Sequence, residues 1–226
     1  MKTSGAQMDG PYTALLLDFG CVIAKSIFEI IEPFERGLGL PRGTLTWRGP
    51  LDLDTDPLWR AMLAKELTER QYWERRANEI AALIGEQWTP LELMTRASDV
   101  VGAAQFRTEI EQLVRDTRAA NIRVGVLTNE LELFHGRAWM ETVPALKLVD
   151  AVVDATHTKI LKPDPRAYAM GVTALDAAAR STLFVDDQAH NVEGARVAGL
   201  SAIHFDIRRP AEMVAEIRTA LGLPVP

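Results

Sequence analysis

The chain has 226 residues, of which 47% are hydrophobic and 25% are charged, as is typical of a globular protein of one domain or of one domain with an insertion. The formal net charge of −6 and the lack of a lysine or arginine cluster argue against a nucleic-acid groove. Cys21 is the only cysteine, which excludes an intrachain disulfide and a cysteine-rich zinc site.

The N-terminal segment and the hydropathy of the chain bear on where the protein works. Residues 1–11 are polar, lack the apolar core of a signal peptide and predict a disordered lead-in. No stretch of the sequence reaches the apolar length that a membrane-spanning helix needs. We therefore expect a cytoplasmic protein with no membrane or nucleic-acid partner, present as a monomer or a homodimer.

Five short apolar runs predict β-strands, and segments of helical spacing lie between them. The predicted strands are residues 13–19, 122–128, 150–154, 182–186 and 202–205. The helices predicted around them are residues 106–119, 131–141, 164–175, 191–198 and 210–221. Alternating strands and helices are typical of a parallel sheet covered on both faces, so we expect an α/β fold.

One interval breaks this alternation. About a hundred residues separate Asp18 from Ile122, whereas a βαβ crossover takes roughly 30. Within the interval, residues 26–36, 56–65, 68–82 and 90–98 have helical spacing. We predict a helical insertion at residues 25–99 in an α/β core made of residues 12–24 and 100–226. Because the insertion follows Asp18, we expect it to cover the carboxyl edge of the sheet, where a lid excludes water and selects substrate.

Three aspartates are predicted to meet at that edge of the sheet. Asp18 follows the first apolar strand, and the pair Asp186-Asp187 ends the fourth. The carboxyl ends of parallel strands form the edge at which open α/β folds bind ligands. Neighbouring anions repel each other, so a site that collects carboxylates needs a cation, most simply a metal ion.

Thr128, at the end of the second strand, and Lys162, in a loop with two prolines, complete a set of residue types suited to phosphoryl transfer. A carboxylate can act as the nucleophile, while a metal ion and a lysine neutralise the charge of the phosphate. The threonine hydroxyl and nearby backbone amides supply hydrogen-bond donors. Mg²⁺ suits such a site, because it prefers octahedral oxygen ligands and keeps several waters.

With these residues in place, the sequence resembles the haloacid dehalogenase superfamily over nearly its whole length, from Thr13 to about Phe205. The most specific parts of the resemblance are Lys162-Pro163-Asp164-Pro165 and the run FVDDQAHNVEGA at 184–195. The insertion resembles the C1 cap of the family, and ELTERQYW at 66–73 looks like a cap helix of phosphatase-like members. The resemblance implies a three-layer, Rossmann-like parallel sheet with an inserted helical C1 cap.

The resemblance also implies roles for individual residues. Asp18 would be a nucleophile that forms an aspartyl-phosphate, which splits one hard displacement into two easier ones. Thr128, Asn129 and Lys162 would bind the phosphoryl group, and Thr128 and Lys162 would also assist catalysis.

The implied cofactor is Mg²⁺, with Asp18, Asp186, Asp187 and the backbone carbonyl of Gly20 as its protein ligands. The activity that follows is a Mg²⁺-dependent phosphomonoesterase acting on a small phosphorylated metabolite.

One position departs from the family pattern. Phosphatases of the family usually carry a second aspartate two residues after the nucleophile, where this chain has Gly20, and Cys21 stands where glycine is usual. General acid–base catalysis contributes about 10²–10⁴-fold, so the loss matters for a poor leaving group. Three replacements are open: a leaving group that needs little protonation, a proton from solvent, or an acid from the cap. Glu130 and His135 are candidates near the second motif.

Three other functions stay open. A 2-haloacid dehalogenase would use Asp18 without a metal, but Asp186-Asp187 argues against it, because dehalogenases of the family lack this acid pair. A phosphonatase would need a cap lysine, for which Lys65 is conceivable. A non-catalytic phosphate-binding protein is the third possibility, and the changes at Gly20 and Cys21 fit such a loss of activity.

Overall fold

The computed structural model describes residues 12–225 and contains one sheet of five parallel strands. The predicted disorder of residues 1–11 lies outside the described residues. The strands are β1 (Ala14–Leu17), β2 (Arg123–Thr128), β3 (Ala151–Asp154), β4 (Thr182–Asp186) and β5 (Ser201–His204). Their order in the sheet is β3-β2-β1-β4-β5, and every neighbouring pair is parallel.

Helices of very different length connect the strands. The α-helices are α1 (Ile31–Gly37), α2 (Pro57–Leu63), α3 (Glu69–Leu83), α4 (Pro90–Val101), α5 (Thr108–Ala119), α6 (Leu131–His135), α7 (Arg137–Met140), α8 (Ala155–Thr158), α9 (Pro165–Ala174), α10 (Ala189–Val197) and α11 (Pro210–Ala220). Short 3₁₀ turns occupy Ile27–Glu29, Gly49–Leu51, Leu53–Thr55, Gly102–Gln105, Ala145–Lys147 and Ala179–Ser181. No helix within residues 12–225 combines the length and apolarity that crossing a membrane requires.

The sheet is flanked by helices, which confirms the predicted α/β, Rossmann-like fold. Helices α9 and α10 contact each other and cover one face, where Leu16 and Phe184 are fully buried against Tyr168. Gly171 allows this close packing, because a Cβ there would lie 2.7 Å from a methyl group of Leu16. Helices α5 and α11 pack together, and α5 contacts β2. Because helices bury both faces of the sheet, the strands consist of nearly continuous apolar residues.

The chain divides into two compact units. The α/β unit comprises residues 12–23, Arg107–Leu131 and 141–225, and the helical unit comprises Ala24–Phe106 and Glu132–Met140. The core of the helical unit is rich in aromatic side chains. These include Phe28, Phe34, Trp47, Trp59, Tyr72, Trp73 and Trp88. Two of its helices, α3 and α4, begin at capping boxes formed by Thr68 with Gln71 and by Thr89 with Glu92.

The helical unit is larger than the predicted insertion at residues 25–99. It includes residues 100–106, because α4 continues to Val101 and Ala24 pairs with Phe106 in an antiparallel bridge. It also includes residues 132–140, which the sequence predicts as part of one core helix. The prediction of one continuous helix over residues 131–141 is wrong, because Gly136, with φ of 78°, separates α6 from α7. Phe134 of α6 packs into the aromatic core of the helical unit.

Candidate active site

Asp18 and Asp186 lie at the carboxyl ends of adjacent strands. Leu17 of β1 is in register with Val185 of β4, and the backbone N–H of Asp18 donates to the carbonyl of Val185 at 2.8 Å. The two aspartates that follow this register are both buried, with 7% of Asp18 and none of Asp186 exposed. The apolar strands thus hold two carboxyl groups side by side at one edge of the sheet.

Asp187 joins these two residues in an acidic cluster. One carboxylate oxygen from each of Asp18, Asp186 and Asp187 can be chosen so that all three lie within 4.8 Å of one another. Asp187 is half-buried, whereas Asp18 and Asp186 are buried. Three carboxylate ligands from a buried edge fit Mg²⁺, which binds hard oxygen donors and completes its shell with water.

Lys162 bridges the two buried aspartates. Its Nζ lies 2.8 Å from Oδ1 of Asp18 and 2.6 Å from Oδ2 of Asp186. Its ammonium also lies 5.5 Å from the centre of the Phe184 ring. Burial alone would lower the pKa of Lys162, but the charges of Asp18 and Asp186 outweigh burial and raise it. Lys162 is therefore a charged ammonium and a fixed positive centre.

One lysine does not balance the acids. Burial raises the pKa of the Asp18 carboxyl from 3.8 to about 7, the charge of Asp186 acts in the same direction, and Lys162 only partly opposes them. A divalent cation would favour the ionised carboxylate and bring this pKa down. The electrostatics of the cluster therefore fit a site that takes up further positive charge.

Asp186 is held by residues at the start of α10. Its Oδ1 accepts hydrogen bonds from the Gln188 backbone at 2.8 Å and from Nδ2 of Asn191 at 3.1 Å. Tyr168 donates its hydroxyl proton to the backbone carbonyl of Asn191 at 2.7 Å. The Oδ1 atom of Asn191 is buried and has no hydrogen-bond partner among the described residues. The sequence predicts Asn191 only as the first residue of a helix, whereas α10 begins at Ala189 and Asn191 contacts Asp186. The signal available in the sequence is an amide side chain five residues after Asp186.

Thr128 and Asn129 follow one another at the end of β2, the strand next to β1. Thr128 is buried, with 4% exposed, and its Cα is in register with that of Asp154. Asn129 turns its side chain to the main chain of Lys162, where Oδ1 accepts from the Lys162 N–H at 2.9 Å and Nδ2 donates to the Lys162 carbonyl at 3.2 Å. This pairing connects the second motif directly to the lysine loop.

The loop after Asp18 is tightly turned. The Val22 N–H donates to the carbonyl of Gly20 at 2.7 Å, with Cys21 at φ of 61° between them. That carbonyl, the predicted backbone ligand of the metal, keeps its second lone pair. Arg107 is buried and donates from Nε and Nη2 to the Cys21 carbonyl, both at 3.2 Å. Sequence reasoning missed Arg107, because no local pattern links it to a loop 86 residues away.

The two candidates for the missing acid differ in environment. Glu130 lies in the α/β unit, is buried and has φ of 59°. His135 lies in the helical unit, where its ring stacks on Trp139 at 4.1 Å. Burial lowers the pKa of His135 from 6.5 to about 4, so its imidazole is neutral at pH 7 and is a poor proton donor.

The fold and the cluster together define a Rossmann-like α/β protein with a lysine-bridged acidic site at the carboxyl edge of its sheet. A family model described as haloacid dehalogenase-like hydrolase matches residues 43–199. The chain belongs to this hydrolase family.

Two relatives of known name are matched over only part of their length. The chain is 28% identical over 217 residues to mouse acyl-CoA dehydrogenase family member 10, and the match covers 95% of this chain but 20% of that protein. It is 37% identical over 108 residues to phosphatase MT3486 of Mycobacterium tuberculosis, covering 48% of this chain and 50% of that protein. The chain therefore spans half or less of the length of these two relatives.

Two solved structures share the fold. A HAD-hydrolase from Bacillus subtilis, bound to magnesium, superposes with a TM-score of 0.68 at 15% identity and covers 95% of this chain and 100% of its own. A HAD phosphatase from Thermococcus onnurineus gives a TM-score of 0.60 at 17% identity with the same coverage. At this identity the likeness shows the fold alone.

Proposed function

We propose that the protein is a Mg²⁺-dependent phosphomonoesterase that acts on a small phosphorylated metabolite through an aspartyl-phosphate at Asp18. The observation that carries this proposal is the position of Lys162, whose Nζ contacts both Asp18 and Asp186 in a cluster with excess negative charge. Family membership, the mycobacterial phosphatase and the magnesium bound by the Bacillus subtilis protein support it.

The proposed first step is attack by the carboxylate of Asp18 on phosphorus. The bond between an Asp18 oxygen and phosphorus forms as the bond to the leaving oxygen breaks. Lys162 and the Phe19 backbone N–H hold the Asp18 carboxylate, and Lys162 offers its charge to the phosphoryl oxygens. The hydroxyl group of Thr128 donates a hydrogen bond to a phosphoryl oxygen. Water then attacks the phosphorus of the aspartyl-phosphate, which releases inorganic phosphate and restores Asp18.

Asp18, Asp186, Asp187 and the Gly20 carbonyl would hold Mg²⁺. When it is bound, the ion supplies positive charge that lets an anionic nucleophile approach an anionic substrate. The carboxylate geometry and the raised pKa of Asp18 support this assignment.

Gly20 restricts the range of substrates in this proposal. With no carboxyl group at this position, the leaving oxygen departs as an anion or takes a proton from solvent or from another acid, for which Glu130 is the remaining candidate. Good leaving groups, such as those of a sugar-1-phosphate or an acyl phosphate, need this help least. We therefore place the physiological substrate among such compounds.

The proposal gives the helical unit the role of a cap that selects the substrate. The chain leaves the α/β unit after Ile23, shortly after Asp18, and returns to it at Arg107. Insertion at this point of the chain is what the family resemblance associates with a C1 cap. Exchanging the helical unit for that of a relative is expected to change the substrate range while the nucleophile stays the same.

The test is hydrolysis of p-nitrophenyl phosphate with Mg²⁺ and with EDTA. We expect turnover that needs Mg²⁺ and falls by about 10⁴-fold or more in Asp18→Asn, because the nucleophile is lost. Asp176→Asn is the matched control: this side chain is 89% exposed, so the same chemical change should leave turnover intact. A screen of phosphorylated metabolites would then identify the substrate.

The alternatives predict other results of the same experiment. Halide release from 2-chloropropionate without metal would indicate a dehalogenase, and phosphate binding without turnover would indicate a binding protein. A phosphonatase would release phosphate from phosphonoacetaldehyde and depend on Lys65. Lys65 is exposed, which is not the desolvated setting that activates a lysine amine.

A further inference from the structure

We propose that Asn129 is a positioning residue that directs the Lys162 side chain between the two buried aspartates, acting through the main chain of Lys162. This inference rests on the proposed function, because the lysine matters for catalysis only if Asp18 accepts a phosphoryl group. The family resemblance implies a different role for Asn129, namely direct contact with the substrate.

The first argument is the geometry of the pairing. The Asn129 amide uses its acceptor on the Lys162 N–H at 2.9 Å and its donor on the Lys162 carbonyl at 3.2 Å. Two hydrogen bonds from one planar group to both polar groups of one residue fix the orientation of that residue, as a neighbouring strand would. Lys162 lies in a loop between α8 and α9, where no strand supplies these partners.

The second argument is what the lysine must do. Its side chain has four rotatable carbon–carbon bonds and loses rotamer entropy when it is held in one position. Nζ must nevertheless lie 2.8 Å from Asp18 and 2.6 Å from Asp186, which belong to the ends of two different strands. This fit depends on where the Lys162 backbone sits relative to the sheet. Asn129 immediately follows the last residue of β2, so its hydrogen bonds hold the Lys162 loop at a fixed position relative to the sheet.

The opposite side of the loop is also constrained. A Cβ added to Gly194 of α10 would lie 2.6 Å from Cβ of Pro163 and 3.1 Å from its carbonyl oxygen. The residue after Lys162 is therefore packed closely against α10, and only glycine permits this approach. With Asn129 on the Lys162 main chain and α10 against Pro163, the loop is held at two consecutive residues.

A positioning role and a substrate contact differ in their kinetics. A residue that acts through Lys162 changes kcat more than KM, and its effect disappears when Lys162 is absent. A residue that binds substrate directly loses its contact whether or not Lys162 is present.

The experiment is a double-mutant cycle with p-nitrophenyl phosphate and Mg²⁺. Asn129→Ala is expected to lower kcat by about 10-fold to 100-fold, since small misplacements of a reacting group cost about this much, with KM within about twofold. In a Lys162→Met background the same change should alter kcat by less than about twofold. Asn78→Ala, the same change on an exposed face of α3, is the control and should have no effect. Equal losses in both backgrounds, or a raised KM with unchanged kcat, would overturn the inference.

Amide hydrogen exchange provides a readout that does not depend on turnover. Asn129→Ala should speed exchange of the Lys162 amide, which loses its acceptor, while the amides of β1 keep their protection. Unchanged exchange at Lys162 would contradict the inference even if kcat falls. If the wild-type protein hydrolyses no phosphate ester, the proposed function fails by itself, and the exchange measurement still decides whether Asn129 holds Lys162.

Discussion

Each unit buries an ion pair, and the two pairs differ in how completely their charges are matched. In the helical unit Asp56 pairs with Arg76, and both side chains are almost fully buried. In the α/β unit Lys162 pairs with Asp18 and Asp186, which are buried to a similar degree. Burial alone therefore does not distinguish a structural ion pair from a functional one.

The pair in the helical unit is satisfied on every side. Asp56 accepts hydrogen bonds from the backbone of Trp59 at 2.9 Å and of Gly49 at 3.2 Å, from the Tyr72 hydroxyl at 2.7 Å and from Arg76. The Arg76 guanidinium also lies over the rings of Trp47 and Tyr72. It pairs with Glu79 as well, but that side chain is 45% exposed and therefore solvated, so Asp56 is the one buried carboxylate on Arg76 among the described residues. A carboxylate with this many donors needs no further cation, so the cluster fixes the packing of the aromatic core.

The pair in the α/β unit has surplus acid. The buried carboxyl groups of Asp18 and Asp186 share the ammonium group of Lys162, and Asp187 lies beside them. Burial raises the pKa of Asp18 to about 7. A fold keeps such an imbalance at a place where a ligand completes it. The comparison suggests that the charge sum of a buried cluster, rather than its depth, identifies a binding site.

The largest expected effect is on the matched pair. Arg76→Met leaves Asp56 buried without its counterion and should lower the free energy of unfolding by about 3–5 kcal/mol. Urea denaturation measures this change, and Mg²⁺ should not reverse it. Arg75→Met, the neighbouring but exposed arginine of α3, is the control and should have little effect. If Mg²⁺ restores the free energy of unfolding of Arg76→Met, the two clusters do not differ in their need for a cation.

Replacing the cation of the Asp18–Asp186–Asp187 cluster by methionine should lower stability in a way that depends on metal. Lys162→Met removes the ammonium that bridges Asp18 and Asp186, so the metal-free protein should lose about 2–4 kcal/mol in urea at about pH 8. Millimolar Mg²⁺ should restore part of this loss, because an ion that binds only the folded state stabilises it. If Mg²⁺ stabilises neither the wild type nor Lys162→Met, the acidic cluster does not bind this ion.

A smaller effect is expected at Gly20. A Cβ added at this position would have no heavy atom within 4 Å, so the first carbon of an aspartate side chain can be accommodated. Gly20→Asp should raise kcat for phenyl phosphate, a poor leaving group, by about tenfold more than for p-nitrophenyl phosphate, because only the poor one needs a proton. Gly20→Asn has the same shape without the acid and should show no such difference. An equal change on both substrates would mean that protonation does not limit the rate.

The smallest effect concerns His135 and pH. Burial lowers its pKa from 6.5 to about 4, so the unfolded state takes up a proton at a higher pH than the folded state does. The resulting stability is fully present above pH 6.5 and is lost as the pH falls toward 4. For this half-buried ring we expect a loss of about 1 kcal/mol between about pH 7 and pH 5.

His135→Gln should lack this pH step in urea denaturation, whereas His157→Gln, at an exposed position, should keep it. Asp18, whose pKa is raised to about 7, contributes the opposite pH dependence to both proteins, so the difference between the wild type and His135→Gln is the relevant quantity. If stability changes equally in the two proteins between these pH values, the ring is not desolvated.

The sequence by itself determined the sheet and the identity of its acidic edge. Apolar runs predicted β1 to β5 to within a few residues, and Asp18 and Asp186-Asp187 stood out because they follow such runs. These signals are local: a strand buried on both faces must be apolar, and a charged residue after it marks where the strand leaves the core. Adjacent parallel strands then bring their ends together.

Only the tertiary structure decided which residues support that edge. Asn129 and Lys162 pair across 33 positions, and Arg107 contacts Cys21 across 86. Phe134 belongs to the helical unit, although Leu131, the first residue of the same helix α6, belongs to the α/β unit. Hydrogen bonds of this kind join groups that are distant in sequence and impose no periodicity on either segment. The partners in these contacts are set by the tertiary path of the chain, which local sequence patterns do not specify.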